Sequence, residues 1–169
     1  MKTILKNTFF FIAICMSCLS SLPANEPVAK TRTFAMIKPG AVKRQQIGSI
    51  IQMIEKAQLK VIALRMEKLS KEKLTVFYKE HEGRPFFANL LEVMSSGPVV
   101  AICIEGDNAV LAVRELVGAT DPEKAKEGTI RKIYGVSLTE NAIHASDSDT
   151  SAQRELALFF SKDDIFPQL

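Results

Sequence analysis

Tryptophan is absent from the 169 residues, and there are only two tyrosines, two histidines and three cysteines. A catalytic zinc site would need more ligands than His81 and His144 supply. Eight glycines and seven prolines are too few and too scattered for a collagen-like or low-complexity chain. No Gly-Lys-Ser, no Gly-Lys-Thr and no Gly-x-Gly-x-x-Gly occurs, which excludes glycine-rich phosphate loops of the Walker and protein-kinase types. Charge of one sign is lacking too: 22 Lys and Arg stand against 19 Asp and Glu. Without Lys2 and Lys6, 20 against 19 leave +1, so overall charge calls for neither nucleic acid nor an anionic membrane as partner. What is present, 47% hydrophobic and 24% charged residues, is an ordinary balance for one globular domain. At this length folding buries roughly two-thirds of the surface of the unfolded chain, so the core needs no disulfide staples.

The first 24 residues follow different rules. Lys2 and Lys6 precede an uncharged stretch centred on Phe9 to Leu19, which runs out through Leu22-Pro23-Ala24. A basic start, an apolar middle and a small-residue exit make a cleavable signal peptide. The apolar middle is about half the ~20 residues that a spanning helix needs. The expected organisation is therefore a signal peptide over 1–24, a short linker over 25–30 and a folded domain over 31–169. The chain would be exported, periplasmic or secreted; a start-site error in the head would leave it cytoplasmic. Cleavage would remove Cys15 and Cys18, and Cys103 in the apolar run VVAICI would remain as a buried, inert thiol.

The remaining chain alternates strands and helices. Thr33–Ile37 reads as a strand closed by Lys38-Pro39-Gly40, and Ile47, Ile50, Ile51 and Ile54 mark one helix face. Val61–Met66 is a second strand. Leu74, Phe77, Tyr78 and His81 have helical spacing, as do Phe87, Leu90, Leu91 and Met94. Val99–Ile104 is a buried strand, followed by a helix on Ala109, Val113, Leu116 and Val117 that Asp107 or Asn108 is placed to cap. Periodicity fades between Gly118 and Glu140. Asn141–Ala145 reads as a short strand, and Ala152, Leu156, Phe159 and Phe160 as a last helix with Thr150 and Gln153 at capping-box spacing. This order predicts an α+β, ferredoxin-like βαββαβ sandwich, with helices covering one face of a mostly antiparallel sheet.

His144 carries the most chemical information. A lone histidine is more often structural, but Glu155, eleven residues on in the following helix, can hold one ring nitrogen and leave the other free as a nucleophile. Phosphate chemistry needs cations and donors that converge, and Lys38, Arg114, Thr120 and Arg131 stand at ends of elements or in the irregular segment. Phe86 falls off the core stripe that includes Phe87, so it is either a stacking platform for a base or a local packing residue.

The segments IKPGAV, FYKEHEGRPFF, MSSGPVVA, EGDNAV, GATDP, GTIRKIYG and NAIHASDS closely resemble, in order and separation, those of nucleoside diphosphate kinases. The likeness runs from Thr31 to about Phe160. It implies a ferredoxin-like fold and a ping-pong transfer from a nucleoside triphosphate such as ATP to a nucleoside diphosphate. In that resemblance His144 is phosphorylated on Nδ1 and Glu155 holds the opposite ring nitrogen. Lys38 and Asn141 would contact the sugar hydroxyls, and Lys38 also the transferred phosphate. Arg114, Thr120 and Arg131 would bind phosphates, with Tyr78, His81 and Ser146 in support, and Phe86 would stack on the base. Magnesium would arrive on the nucleotide phosphates rather than in a protein-held site. The family resemblance further implies a homo-oligomer, a tetramer or hexamer.

Two positions depart from the common pattern: Gly40 stands where the family usually has Asp, and Ala145 where it usually has Gly. Neither removes a group that the reaction requires, so reduced activity is the most these changes should do. A head built for export, away from ATP, raises the alternative of a catalytically weak nucleotide-binding or interaction module of the same fold. The presence of His144 together with Lys38, Arg114, Thr120, Arg131 and Asn141 favours the enzyme.

Overall fold

A computed structural model describes residues 30–166. The expected signal segment, residues 25–29 of the expected linker, Cys15 and Cys18 lie outside the described residues. The first element is β1 (Lys30–Ile37), whose last five residues are all buried. Successive strand side chains point to opposite faces, so Phe34 and Met36 enter one core while Ala35 and Ile37 enter another. The chain continues through α1 (Pro39–Lys43), α2 (Ile47–Lys56), β2 (Lys60–Lys68), α3 (Lys71–Phe77), α4 (Phe87–Ser95), β3 (Pro98–Asp107) and α5 (Ala109–Val117). It ends with α6 (Ile130–Tyr134), β4 (Ile143–Ala145) and α7 (Asp149–Phe159). The strands pair antiparallel throughout, in the order β2-β3-β1-β4. This is the expected ferredoxin-like sheet, with α3 and α4 inserted between β2 and β3.

Helices cover both faces of the sheet rather than one. Ile50 and Ile54 of α2, Val113 and Val117 of α5 and Ile130 of α6 pack on the first face. Leu74 and Phe77 of α3, Leu90 and Met94 of α4 and Phe159 of α7 pack on the second. The run Val99–Ile104 carries the reason, because a strand buried on both faces reads as continuously apolar instead of alternating. All six of its residues are buried. At the centre of the second core the fully buried Phe34 stacks on Phe159 at 4.8 Å and tilts against Phe77 at 5.7 Å. Burying a side chain of that size stabilises the fold by roughly 1.5–3 kcal/mol.

Several boundaries differ from those expected. Lys30 belongs to β1, opposite Asp107 of β3, and not to a linker. Because β3 runs on through Asp107, the turn falls on Asn108, which takes the left-handed conformation (φ 48°) and makes no side-chain cap. The Thr31 hydroxyl of the neighbouring strand caps α5 instead, accepting the Ala109 N–H at 2.8 Å. In α7 the cap is Ser148, whose hydroxyl accepts the Ser151 N–H at 3.2 Å, one turn boundary earlier than the Thr150 and Gln153 pair. The segment between Gly118 and Glu140 contains the short α6. The spacing of Leu74, Phe77, Tyr78 and His81 does not make one helix: α3 stops at Phe77, and Lys79–His81 tighten into a 3-10 turn ahead of Gly83 (φ 79°). That tightening stacks the His81 ring on Tyr78 at 5.9 Å. Among the described residues no helix is long and apolar enough to cross a membrane.

Candidate active site

The site grows from the shortest strand. β4 pairs with β1 so that Met36 lies opposite His144, and paired residues share a face. The imidazole therefore rises on the side covered by α3 and α7, while Ile143 and Ala145 point into the opposite core. The turn that feeds β4 is tight: the Ile143 N–H donates to Asn141 O at 2.9 Å across Ala142, which sits at φ 70°. A side chain in this region is strained by about 1–2 kcal/mol. No glycine or asparagine stands at position 142 to signal it. Ala145 itself is an ordinary strand residue, so the methyl that replaces the family's usual glycine costs no backbone strain.

His144 is held from below. Its Nε2 lies 2.9 Å from Oε2 of Glu155, which α7 brings in almost fully buried (3% exposed). The Ser146 hydroxyl donates to the same oxygen at 2.7 Å. Ser146 was expected among the nucleotide-binding residues, but it is buried and does not line the cleft. It anchors Glu155 instead. Phe77 meets the imidazole edge-on at 5.0 Å and Phe34 tilts against it at 6.1 Å, so the ring is fixed from its sides as well. The carboxylate keeps the ring proton on Nε2. Nδ1 has no hydrogen-bond partner among the described residues.

His144 opens into a cleft of about 380 Å³. Apart from Ser146, every residue expected in the site lines it. Lys38 follows β1 directly and is buried, donating from Nζ to Thr139 O at 3.1 Å. Burial, and then the charge of Arg131, lower its ammonium to about 8, against a smaller opposing pull from Glu140. Arg131 of α6 donates from Nη1 to Gly118 O at 2.9 Å and from Nη2 to Ile143 O at 3.1 Å. Burial and the charge of Arg114 lower its guanidinium to about 10, so it stays charged at neutral pH. Three cations thus share one cleft with the carboxylates of Glu80, Asp147 and Glu155, an arrangement that a bound polyanion would further stabilise.

Two buried polar atoms on the cleft walls, the Tyr78 hydroxyl and Oδ1 of Asn141, have no partner among the described residues. Such atoms cost about 1–3 kcal/mol until something bonds them. Burial, followed by the charge of Glu155, pushes the Tyr78 hydroxyl well above the usual tyrosine range, so it remains a donor. The Asn141 amide is fixed by donating to Thr120 O and Leu138 O, both at 3.0 Å, which aims Oδ1. At the cleft mouth Phe86 is half exposed and meets His81 edge-on at 5.6 Å. Sequence reasoning missed Glu80, Leu138, Thr139 and Asp147, all on the cleft wall. Hydrogen bonds from Ser151 and Ser148 hold the Asp147 carboxyl below the usual range. The motif segments FYKEHEG and HASDS did contain Glu80 and Asp147, and their position beside Tyr78 and His144 was the available signal.

Three cations and unpartnered polar groups gathered around one histidine on a ferredoxin-like sheet fit a phosphotransferase. A sequence model described as nucleoside diphosphate kinase matches residues 31–165. The nucleoside diphosphate kinase of Aquifex aeolicus is 42% identical and superposes with a TM-score of 0.79, over 81% of this chain and 99% of that one. A halophilic nucleoside diphosphate kinase from Halobacterium salinarum, solved in complex with CDP, is 40% identical with a TM-score of 0.81, over 83% and 94%. That of Encephalitozoon cuniculi is 40% identical with a TM-score of 0.78, over 81% and 93%. The chain belongs to the nucleoside diphosphate kinase family and is an enzyme of that phosphotransferase class.

Proposed function

We propose that the enzyme carries the terminal phosphoryl group of a nucleoside triphosphate, ATP among them, to a nucleoside diphosphate through a phosphohistidine on His144. The observation that carries this is the bond from Nε2 to Glu155, which leaves Nδ1 as the free nitrogen at the head of a cleft that Lys38, Arg114 and Arg131 line. The Nδ1 lone pair attacks the terminal phosphorus, an N–P bond forms, and the P–O bond to the leaving diphosphate breaks. A second diphosphate then attacks the phosphohistidine with its terminal oxygen and leaves as the triphosphate. No separate base is required, because neutral imidazole is itself the nucleophile. Positive charge that develops on the ring is met by Glu155, and charge on the phosphates by Lys38, Arg114 and Arg131. The Tyr78 hydroxyl and Thr120 supply further donors, and Asn141 accepts from a sugar hydroxyl. Phe86 offers a π-face that every base shares, so base selectivity is weak. His81 backs Phe86 from within.

Among the described residues no three His, Cys, Asp or Glu side chains converge to hold a metal ion. Glu80 and Asp147 line the cleft singly, which suits a magnesium ion that enters on the nucleotide. Bound there, magnesium neutralises part of the phosphate charge. Incubation with ATP labelled at the γ-phosphate tests the proposal. Label should appear on His144 and be labile in acid but stable in base, whereas label on Ser146 or Ser148 would behave the opposite way and overturn it.

Lys38 gives the reaction a pH signature. In the free enzyme its ammonium loses its proton near pH 8, but a bound polyphosphate favours the charged form and raises that value. The expected result is a kcat/KM that falls as pH rises through about 8, while kcat holds to higher pH. A kcat/KM that stays flat to pH 9.5 would remove Lys38 from the phosphate site. Stability responds in the opposite sense. The folded value lies below the ordinary 10.5, so the full cost of burying the charge, ~3 kcal/mol, is felt below pH 8. Between about 8 and 10.5 the unfolded chain holds the extra proton, and this group's contribution to stability rises with pH.

A further inference from the structure

We infer that Arg154 is a positioning residue for the His144 and Glu155 pair, acting through the carboxylate oxygen that the histidine leaves free. The inference rests on the reading of His144 as phosphoryl carrier and extends it. A buried carboxylate is costly unless its oxygens are partnered. Oε2 of Glu155 has two partners, Nε2 of His144 at 2.9 Å and Oγ of Ser146 at 2.7 Å. Oε1 accepts no hydrogen bond among the described residues, and the cation beside it is Nη2 of Arg154 at 3.6 Å. The same Nη2 lies 3.5 Å from Oε2 of Glu80. One guanidinium therefore sits between a carboxylate on the nucleotide cleft and the carboxylate behind the histidine, without itself lining the cleft.

Glu155 and Arg154 also border a second opening, a groove of about 230 Å³ between α3 and α7 walled by Val76, Phe77, Ala157 and Leu158. The terminal torsion of a glutamate is broad, so two bonds to a single oxygen do little to stop the carboxylate turning about its Cγ–Cδ bond, which moves both oxygens. Without Arg154 the uncompensated Oε1 gains by rotating towards water in the groove, and that rotation draws Oε2 away from His144. The guanidinium is half exposed and its ion pairs are longer than hydrogen bonds, so its direct contribution to stability is small. Its effect on turnover is larger, because misplacement of a reacting group by an ångström costs up to about a hundredfold in rate.

Arg154→Met keeps the stem of the side chain and removes the charge. We expect kcat to fall about tenfold in both half-reactions while KM for either nucleotide stays within about twofold, the pattern of an interaction that matters only in the transition state. Arg154→Lys should recover most of the rate. In a Glu155→Gln background Arg154→Met should have no further effect on kcat, since the neutral amide is not oriented by a cation. The proton on Nε2 of His144 should give a resonance in the wild type and the lysine variant that broadens by exchange in the methionine variant. An unchanged kcat, an effect on KM alone, or full additivity with Glu155→Gln would overturn the inference. If Arg154→Met left kcat unchanged while His144 still took up label, this inference alone would fail. If His144 took no label in the wild type, the proposed function would fail first.

Discussion

His144→Ala should fold, bind nucleotide and lose turnover. The substitution leaves Lys38, Arg131 and Asn141 where they are, because their side-chain hydrogen bonds run to main-chain carbonyls and not to the imidazole. It removes one bond to the buried carboxylate of Glu155, at a cost to stability of about 1–3 kcal/mol. The Ser146 hydroxyl stays on that carboxylate. What disappears is the ring nitrogen that forms the N–P bond in the proposed mechanism, so kcat should drop by at least about 10⁴-fold, ~5.4 kcal/mol at 1.36 kcal/mol per tenfold. Coupled-assay turnover together with equilibrium binding of a nucleoside diphosphate checks both halves. Exchange at close to the wild-type rate would rule out the histidine route. Loss of binding as well would show that the imidazole helps to shape the cleft.

The fold was legible where apolar periodicity was strong, as in Ile47 to Ile54 or Val99 to Ile104, and the cleft residues were legible from the order of seven short motifs. What escaped was decided by contacts between segments far apart in sequence. The cap of α5 comes from Thr31, a strand away, and no local pattern contains it. The strain at Ala142 arises because Lys38 N–H donates to Ala142 O while Ile143 N–H reaches back to Asn141 O. Five residues of α6 are too few for periodicity to register. Ser146 stands in the same motif as His144, yet its bonds to Phe34 O and to Oε2 of Glu155 hold its hydroxyl inward, away from the cleft. The bridge from Arg154 to Glu80 joins α7 to the turn after α3, a proximity that only the packed helices create.

The second large effect is expected at Arg131, where structure and charge are carried by one side chain. Its guanidinium ties two distant carbonyls together, Gly118 O at the end of α5 and Ile143 O at the start of β4. The span between them is closed tightly: Gly118 has φ 85°, and a β-carbon there would lie 2.5 Å from the Thr129 hydroxyl. Arg131→Ala leaves both carbonyls without that partner beside a buried strand, which should cost on the order of 2–6 kcal/mol of stability at about 1–3 kcal/mol per unsatisfied group. It also removes a cation from the proposed phosphate site, where loss of one preorganised donor costs about 10²–10³ in kcat. Arg131→Lys separates the two roles. A lysine keeps the charge but has no planar fork to span both carbonyls, so it should lose most of the stability and less of the turnover. The charge itself has a separate reporter, because Arg131 is one of the causes that depress Lys38. In Arg131→Ala the alkaline fall of kcat/KM should move above pH 8, and in Arg131→Lys it should stay. Urea midpoints and pH-rate profiles of the two variants decide the matter. A midpoint in Arg131→Ala corresponding to less than about 0.5 kcal/mol of lost stability, the range of ordinary surface changes, would mean that the two carbonyls do not depend on this guanidinium.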